Sequence, residues 1–463
     1  MKKRASGVLM HPSSLPGNYS VGSFGRYAYK FIDFLSQSGF SYWQVLPFCM
    51  PDEYGSPYKS RGLFSVNPWF VDLEILAENG LLGKSELSSA VQREPYLSEY
   101  DRIRERLSLL RLAAERVTKR DIIEEWIGSR EELSYTAEYL AAADGGDSLF
   151  FHKFLIYEFH RQWCSLRAYA NERGVGIIGD MPMYTSYESA DVWAHPELFL
   201  LDGDGEPACV AGVPPDCFSG DGQLWGNPLY DWRGMKAHGY DFFRERLRHA
   251  LELFDGVRID HFRAIDSYYS IPRQAATAKE GRWVKGPGRA LIRALRPLTD
   301  GKLIIAEDLG DITDSVRDLV RYSGYFGMRV LQFGFMGDGD SLHLPHNYNE
   351  HSFAYTGTHD NNTLLGFIWE LDPDTRARFF DYFGIAHNDW QLAVHDVVRA
   401  LLASSAGTVI IPVEDLLGFG SDTRMNTPGT SGGNWRFRIT EDNLRTLSGN
   451  SGKYKYLNNL YGR

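Results

Sequence analysis

The chain has 463 residues, of which 43% are hydrophobic and 24% charged, and its formal net charge is −11. That acidic balance argues against nucleic acid or an anionic membrane as a partner, and no run of 18 apolar residues offers a membrane span. After the basic start Met1-Lys-Lys-Arg-Ala-Ser only Gly7-Val-Leu-Met precedes His11, too short for a signal peptide, and Cys49, Cys164, Cys209 and Cys217 lack metal-ligand spacing. The expectation is a cytoplasmic protein with reduced thiols, no metal and no other cofactor.

Eight short runs rich in Val, Ile, Tyr and Phe and bounded by Gly or Pro read as strands. They are Gly7–Met10, Tyr42–Leu46, Val175–Asp180, Gly256–Asp260, Lys302–Glu307, Met328–Phe333, Phe353–Gly357 and Thr408–Val413. Helical periods lie between several of them. Tyr27–Ser38 carries Phe31, Phe34 and Leu35 on one stripe and stops at Gly39; Ile312–Arg321 carries Ile312, Val316, Leu319 and Val320 and stops at Ser323-Gly324. Repeated strand–helix–strand units make an α/β protein, and eight of them close a (β/α)8 TIM barrel. The alternative, a doubly wound open sheet, is weakened because no Gly-x-Gly-x-x-Gly or P-loop follows a strand.

Two connections are too long for simple crossovers. Residues 50–173 form an insertion whose stretch Leu97–Ala143 is charged and helical in period, a solvated helical subdomain. Residues 184–240 form a second insertion, rich in Gly, Pro, Asp and Trp, with a hairpin from Glu197–Leu201 through Asp202-Gly-Asp-Gly205 to Ala208–Val210. A calcium loop at Asp202 is set aside, because Glu206-Pro207 breaks the required continuation and no distal Glu falls in register. The aromatic share is 14%, and Tyr54, Tyr58, Trp69, Tyr184, Tyr187, Trp225, Tyr230 and Trp232 all lie in loop-like sequence. Most aromatics belong to a core, but flat rings among amides and carboxylates also suit sugar faces.

Three acidic residues sit at or just past three of the apolar runs: Asp260, Glu307 and Asp360, at steps of 47 and 53 residues. A barrel unit takes about 30 residues, so the three can meet on one barrel face. Carboxylates gathered there suit retaining sugar chemistry, with a nucleophile, a general acid/base and a helper. Residues i and i+2 of a strand share a side, so Arg258 and Asp260 both enter the barrel mouth, where the cation keeps Asp260 ionised. A structural Arg–Asp pair closing the barrel is the competing reading. Glu307, after four apolar residues and beside Asp308, should titrate high and stay protonated; a loop cap is its alternative. Asp360, between His359 and Asn361-Asn362, either orients ligand hydroxyls or forms an Asx-type turn.

Further segments extend the pattern. They are Met10-His-Pro-Ser-Ser-Leu-Pro-Gly, Trp43-Gln-Val-Leu-Pro, Ser56-Pro-Tyr, Asn67-Pro, Ile178-Gly-Asp-Met-Pro-Met-Tyr and Ser189-Ala-Asp-Val-Trp-Ala. Val213-Pro-Pro-Asp, Gly222-Gln-Leu-Trp-Gly-Asn-Pro, Val257-Arg-Ile-Asp-His-Phe-Arg, Ala306-Glu-Asp-Leu-Gly, Gly357-Thr-His-Asp-Asn, Asn426-Thr-Pro-Gly-Thr and Asn434-Trp follow. In that order they resemble the 4-alpha-glucanotransferases called amylomaltases or disproportionating enzymes, glycoside hydrolase family 77. The resemblance implies that Asp260 attacks the anomeric carbon and that Glu307 protonates the leaving oxygen, then deprotonates the 4-hydroxyl of the incoming glucan. It implies that Asp360 grips the distorted donor sugar, that Asp260 and Glu307 stand about 5–5.5 Å apart, and that no cofactor is used. Ser56, Tyr58, Asp180, Trp225, Arg258, His359 and Asn426 would bind substrate, with Pro214–Asn227 as a loop over the cleft and Tyr54 near a secondary glucan site.

The implied substrates are malto-oligosaccharides and amylose, with glucose as an acceptor. Departures from the pattern are Tyr54-Gly-Ser-Pro-Tyr-Lys59, which lacks an Asp and has Lys for Gln, Cys217 in place of an aromatic, and Glu188 in place of Asp. None touches the three carboxylates. A hydrolase sharing the same intermediate and a non-catalytic glucan-binding protein are the alternatives; the second predicts loss of Asp260 or Glu307, and both are present.

Overall fold

The computed structural model describes residues 4–52, 54–215, 219–430 and 432–463. Eight parallel strands close into a barrel: β1 (Ala5–Leu9), β2 (Tyr42–Gln44), β3 (Gly176–Met181), β4 (Gly256–Ile259), β5 (Leu303–Ala306), β6 (Phe326–Val330), β7 (Ser352–Tyr355) and β8 (Thr408–Pro412). Each pairs with its sequence neighbours, and β8 returns to β1 with Ala5 opposite Thr408. This is the (β/α)8 architecture expected from the sequence. Strands covered on both faces read as apolar runs, and Val8, Ile177, Val257, Ile304, Met328, Phe353 and Val409 are all buried.

The helices follow from their stripes. Arg26–Gln37 buries Tyr27, Phe31, Phe34 and Leu35 and is followed by Gly39 at φ +73°. Asp314–Ser323 buries Val316, Leu319 and Val320 and ends on Gly324 at φ +74°, a left-handed conformation that costs glycine little. The connection from β2 to β3 holds Ile103–Glu115, Arg120–Gly128, Glu131–Ala143 and the long Leu149–Glu172. The last helix docks on the barrel through Trp163, whose indole N–H donates to the Leu253 carbonyl at 2.9 Å.

Three details differ from the sequence reading. The run expected as a strand over Met328–Phe333 is a strand only to Val330, then a helical turn at Leu331–Gly334. There the buried Gln332 amide donates to the Asn362 carbonyl at 2.7 Å, so the chain bends to reach the next loop. The hairpin at Asp202 is short: Leu201 bridges Pro207, Asp202 Oδ1 accepts from the amides of Asp204 and Glu206, and Glu197 lies in a 3-10 turn. Third, Gln223–Pro228, expected within a loop, is a strand. It begins a four-stranded antiparallel sheet that continues through Cys209–Val213, Ser267–Pro272 and Arg282–Lys285. Cys217 lies outside the described residues, and the other three cysteines are free.

Gly179 shows how tightly the barrel meets its surroundings. Its neighbour Asp180 turns inward, and a β-carbon at Gly179 would lie 2.0 Å from the Phe254 ring. That ring packs against Phe48 and Trp163 at centroid distances of 5.0 and 5.8 Å, leaving little room to yield. Gly179→Ala is expected to destabilise the fold by about 1–3 kcal/mol, read as a lower denaturation midpoint; an unchanged midpoint would show that the aromatic cluster repacks freely.

Candidate active site

Register brings the charged residues together. On β3 and β4, Asp180 stands opposite Arg258. On β4 and β5, Ile259 stands opposite Ala306, so Asp260 and Glu307, the next residue of each strand, are neighbours across the barrel rim. Ile259 is buried in the core, as its alternation with Arg258 and Asp260 requires. Arg258 Nη1 lies 2.6 Å from Asp180 Oδ2 and 3.0 Å from Asp260 Oδ1, a single buried cation shared by two carboxylates. Tyr58 adds a hydroxyl hydrogen bond to Asp180 Oδ2 at 2.7 Å. Burial pushes Asp180 upward, while Arg258 pulls it down. Asp180 Oδ1 is buried without a hydrogen-bond partner among the described residues.

Glu307 is held by two backbone amides. His261 N–H donates to Oε2 and Leu309 N–H to Oε1, both at 2.8 Å. The first contact depends on a left-handed turn: His261 has φ +44°, uncommon for a non-glycine residue. Burial raises the Glu307 carboxyl to about 7, with the charges of Asp260 and Asp308 adding to it and Arg258 opposing. The high titration expected from the sequence is therefore present, with burial as the main cause.

Asp360 stands on a longer loop past β7. Asn361, not Asp360, closes the local turn, its Oδ1 accepting from the Thr358 amide and hydroxyl at 2.9 Å each. The Asp360 carboxylate accepts from Asn426 Nδ2 at 2.6 Å and lies 3.4 Å from His359 Nε2, with its side chain 46% exposed. The His359 ring stacks on Tyr58 at 5.2 Å and 15°; burial lowers its pKa, with Asp360 opposing.

Trp225 meets His261 edge to face at 4.9 Å, so it stands over the turn between Asp260 and Glu307. Ser56 lies on the Tyr58 loop, its amide donating to Asp52 Oδ1 at 2.9 Å. Tyr54 is 53% exposed, and its amide donates to the same Asp52 Oδ1 at 3.0 Å. Of the loop aromatics read as candidate sugar platforms, Trp69, Tyr184 and Tyr230 are core residues. Lys59 and Glu188 are both exposed.

The sequence reading missed Trp435, which packs against Tyr58 and His359 at 5.9 and 5.7 Å with φ +64°. The Asn434-Trp pair was its only trace. It also missed Arg424, and the backbone role of His261. Asp144, Asp147 and His152 place donor atoms within 4.8 Å of one another. However, Asp144 is paired with Arg61 and Asp147 with Arg111, so cations already balance both carboxylates.

A profile of glycoside hydrolase family 77, described as 4-alpha-glucanotransferase, matches residues 10–142 and 123–444. A 4-alpha-glucanotransferase of Streptococcus pneumoniae serotype 4 is 41% identical, with 96% of this chain and 95% of the relative covered. The chain belongs to the 4-alpha-glucanotransferase family. A chloroplastic/amyloplastic 4-alpha-glucanotransferase of Arabidopsis thaliana is 39% identical over 100% of this chain and 86% of its own. Among solved structures, the amylomaltase from Streptococcus agalactiae in complex with acarbose superposes with a TM-score of 0.95 at 33% identity, covering 100% of both chains. As a member of the 4-alpha-glucanotransferase family the chain is an enzyme of glucan transglycosylation. Among the described residues no helix is long and apolar enough to cross a membrane.

Proposed function

We propose that this family member cleaves an α-1,4-glucan with retention and passes the donor segment to the 4-hydroxyl of another glucan or of glucose, through a covalent glycosyl-enzyme. The observation that carries this is the placing of Asp260 and Glu307 side by side at the ends of neighbouring strands, one beside Arg258 and the other half-buried on two backbone amides. Adjacent strands lie about 4.7–4.9 Å apart, which suits the close carboxyl pair of retaining enzymes better than the wider inverting pair.

In this reading Asp260 is the nucleophile. Arg258 aims its attacking oxygen, and Asp180 fixes Arg258 from the neighbouring strand. Glu307 gives its proton to the departing glycosidic oxygen. With the leaving segment gone, the same carboxylate takes the proton of the incoming 4-hydroxyl. Asp360 and His359 hold the hydroxyls of the donor sugar, and charge on Asp360 favours its oxocarbenium-like state. Tyr58 and Trp435 form an aromatic wall with His359, and Trp225 shields the Asp260–Glu307 turn from water, which favours a sugar acceptor over hydrolysis. Asn426 serves the substrate through Asp360. Ser56 would add a contact at the cleft, and Tyr54 a separate one on the outer surface.

Malto-oligosaccharides, amylose and glucose fit this cleft chemistry; the acarbose held by the Streptococcus agalactiae amylomaltase supports the first. The chain is best described as one catalytic barrel over 1–463, with 50–173 and 184–240 as insertions. The joint core of Leu109, Ile127 and Phe154 with Val257 and Ile305 supports that division. A cytoplasmic location is in keeping with the free thiols.

With maltotriose alone, the enzyme is expected to produce glucose and a ladder of longer malto-oligosaccharides with little rise in reducing ends; glucose and maltose accumulating with rising reducing ends would mean hydrolysis instead. Asp260→Asn should keep glucan binding and turn over below about a thousandth of the wild-type rate, and normal turnover would refute its role as nucleophile. Because Glu307 must carry a proton to act as acid, kcat/KM should fall as pH rises through about 7. A Glu307→Gln variant that kept that alkaline limb would assign it to another group. Treatment with a chelator should leave the rate unchanged; a large loss would place a metal in the reaction.

A further inference from the structure

Asp260 and Glu307 follow their strands directly, so the barrel itself fixes them. Asp360 does not: β7 ends at Tyr355, and the carboxylate stands on the loop beyond it, 46% exposed. Its position is set from a segment distant in sequence. Asn426 Nδ2 donates to Asp360 Oδ1 at 2.6 Å, and the Asn426 amide donates to the His359 carbonyl at 3.0 Å. Behind this pair lies Arg424. Its Nη2 donates to the Asp360 carbonyl at 2.6 Å and its Nε to the Asn426 carbonyl at 2.8 Å. One planar guanidinium therefore joins the backbones of the two residues whose side chains meet.

We propose that Arg424 is a positioning residue for glucan transfer, clamping the Asp360 backbone to that of Asn426 and so setting where the Asp360 carboxylate stands against the donor sugar. The inference rests on the reading of Asp360 as the group that grips that sugar in the transition state. A guanidinium suits the task because its donors lie in one plane at fixed angles and reach two carbonyls at once. A lysine ammonium reaches one of them and leaves the loop free to pivot. Arg424 makes these bonds with backbone oxygens, so its influence on the reaction passes through Asp360.

The test is a double-mutant cycle read with maltotriose: Arg424→Met, Arg424→Lys, Asp360→Asn, and Arg424→Met combined with Asp360→Asn, each with kcat, KM and melting temperature. Hydrogen bonds to a charged group are strong enough that Arg424→Met should lower kcat by about ten- to a hundredfold, with KM within about threefold. Arg424→Lys should recover part of the loss. In the Asp360→Asn background, removing Arg424 should slow the enzyme by no more than about twofold, since the clamp then has nothing to aim. Should Arg424→Met not fold, the same comparison stands with Arg424→Lys in both backgrounds. Equal slowing in the two backgrounds, or a loss that tracks only the folded fraction, would overturn the clamp while leaving Asp360 in its role. Wild-type turnover by Asp360→Asn would overturn the reading of Asp360 and the clamp with it.

Discussion

One buried arginine holds this site together. Arg258 lies inside the barrel mouth with carboxylates on two sides, Asp180 from β3 and Asp260 from the end of its own strand. A cation in that position requires anions around it, because unpaired burial is costly. Asp180 in turn can be buried because the cation is there, while Asp260 stays partly exposed. Tyr58 completes the arrangement by donating to Asp180, and its ring then provides the surface on which His359 stacks. These residues thus form one connected network built on a barrel pair.

The two carboxylates proposed for the chemistry are next-door neighbours with opposite surroundings. Asp260 faces the guanidinium. Glu307 is half-buried with backbone amides as its hydrogen-bond partners, and desolvation pushes its carboxyl up to about 7. Separate environments let two like groups serve as nucleophile and acid at one pH. The left-handed His261 is the joint between them: it follows Asp260 and turns its amide toward Glu307. Strain of that kind is tolerated where the surrounding structure enforces it, and here Trp225 packs edge-on against the same ring.

The third carboxylate obeys a different logic. Asp360 depends on a loop, and its partners Arg424 and Asn426 arrive after β8. In the proposed mechanism a site split in this way takes rigidity from the strands for bond making and breaking and leaves the grip on the sugar to segments joined by hydrogen bonds. The antiparallel sheet bearing Trp225 is a further addition outside the barrel, with a small core of Val210, Tyr269, Ile271 and Ala278.

All eight barrel strands were legible in the sequence, because a strand covered on both faces must be a short apolar run, and alternation alone placed Arg258 and Asp260 on the inner side. The desolvation of the Glu307 carboxyl was legible too, from the four apolar residues before it. What the chain could not reveal was whatever depends on partners distant in sequence. The strand at Gln223–Pro228 reads as a loop, since Gly226, Asn227 and Pro228 interrupt its short apolar pair Leu224-Trp225 and pairing with Cys209–Val213 is what makes it extended. Trp69, Tyr184 and Tyr230 looked like sugar platforms until packing showed them to be core. Asn426 could be named as a site residue, but not as the donor to Asp360. Arg424 and Trp435 carry no periodic signal at all. Local sequence fixes which residues can form a strand or turn inward; which side chains then meet across 66 residues, as Asp360 and Asn426 do, is decided only when the barrel closes.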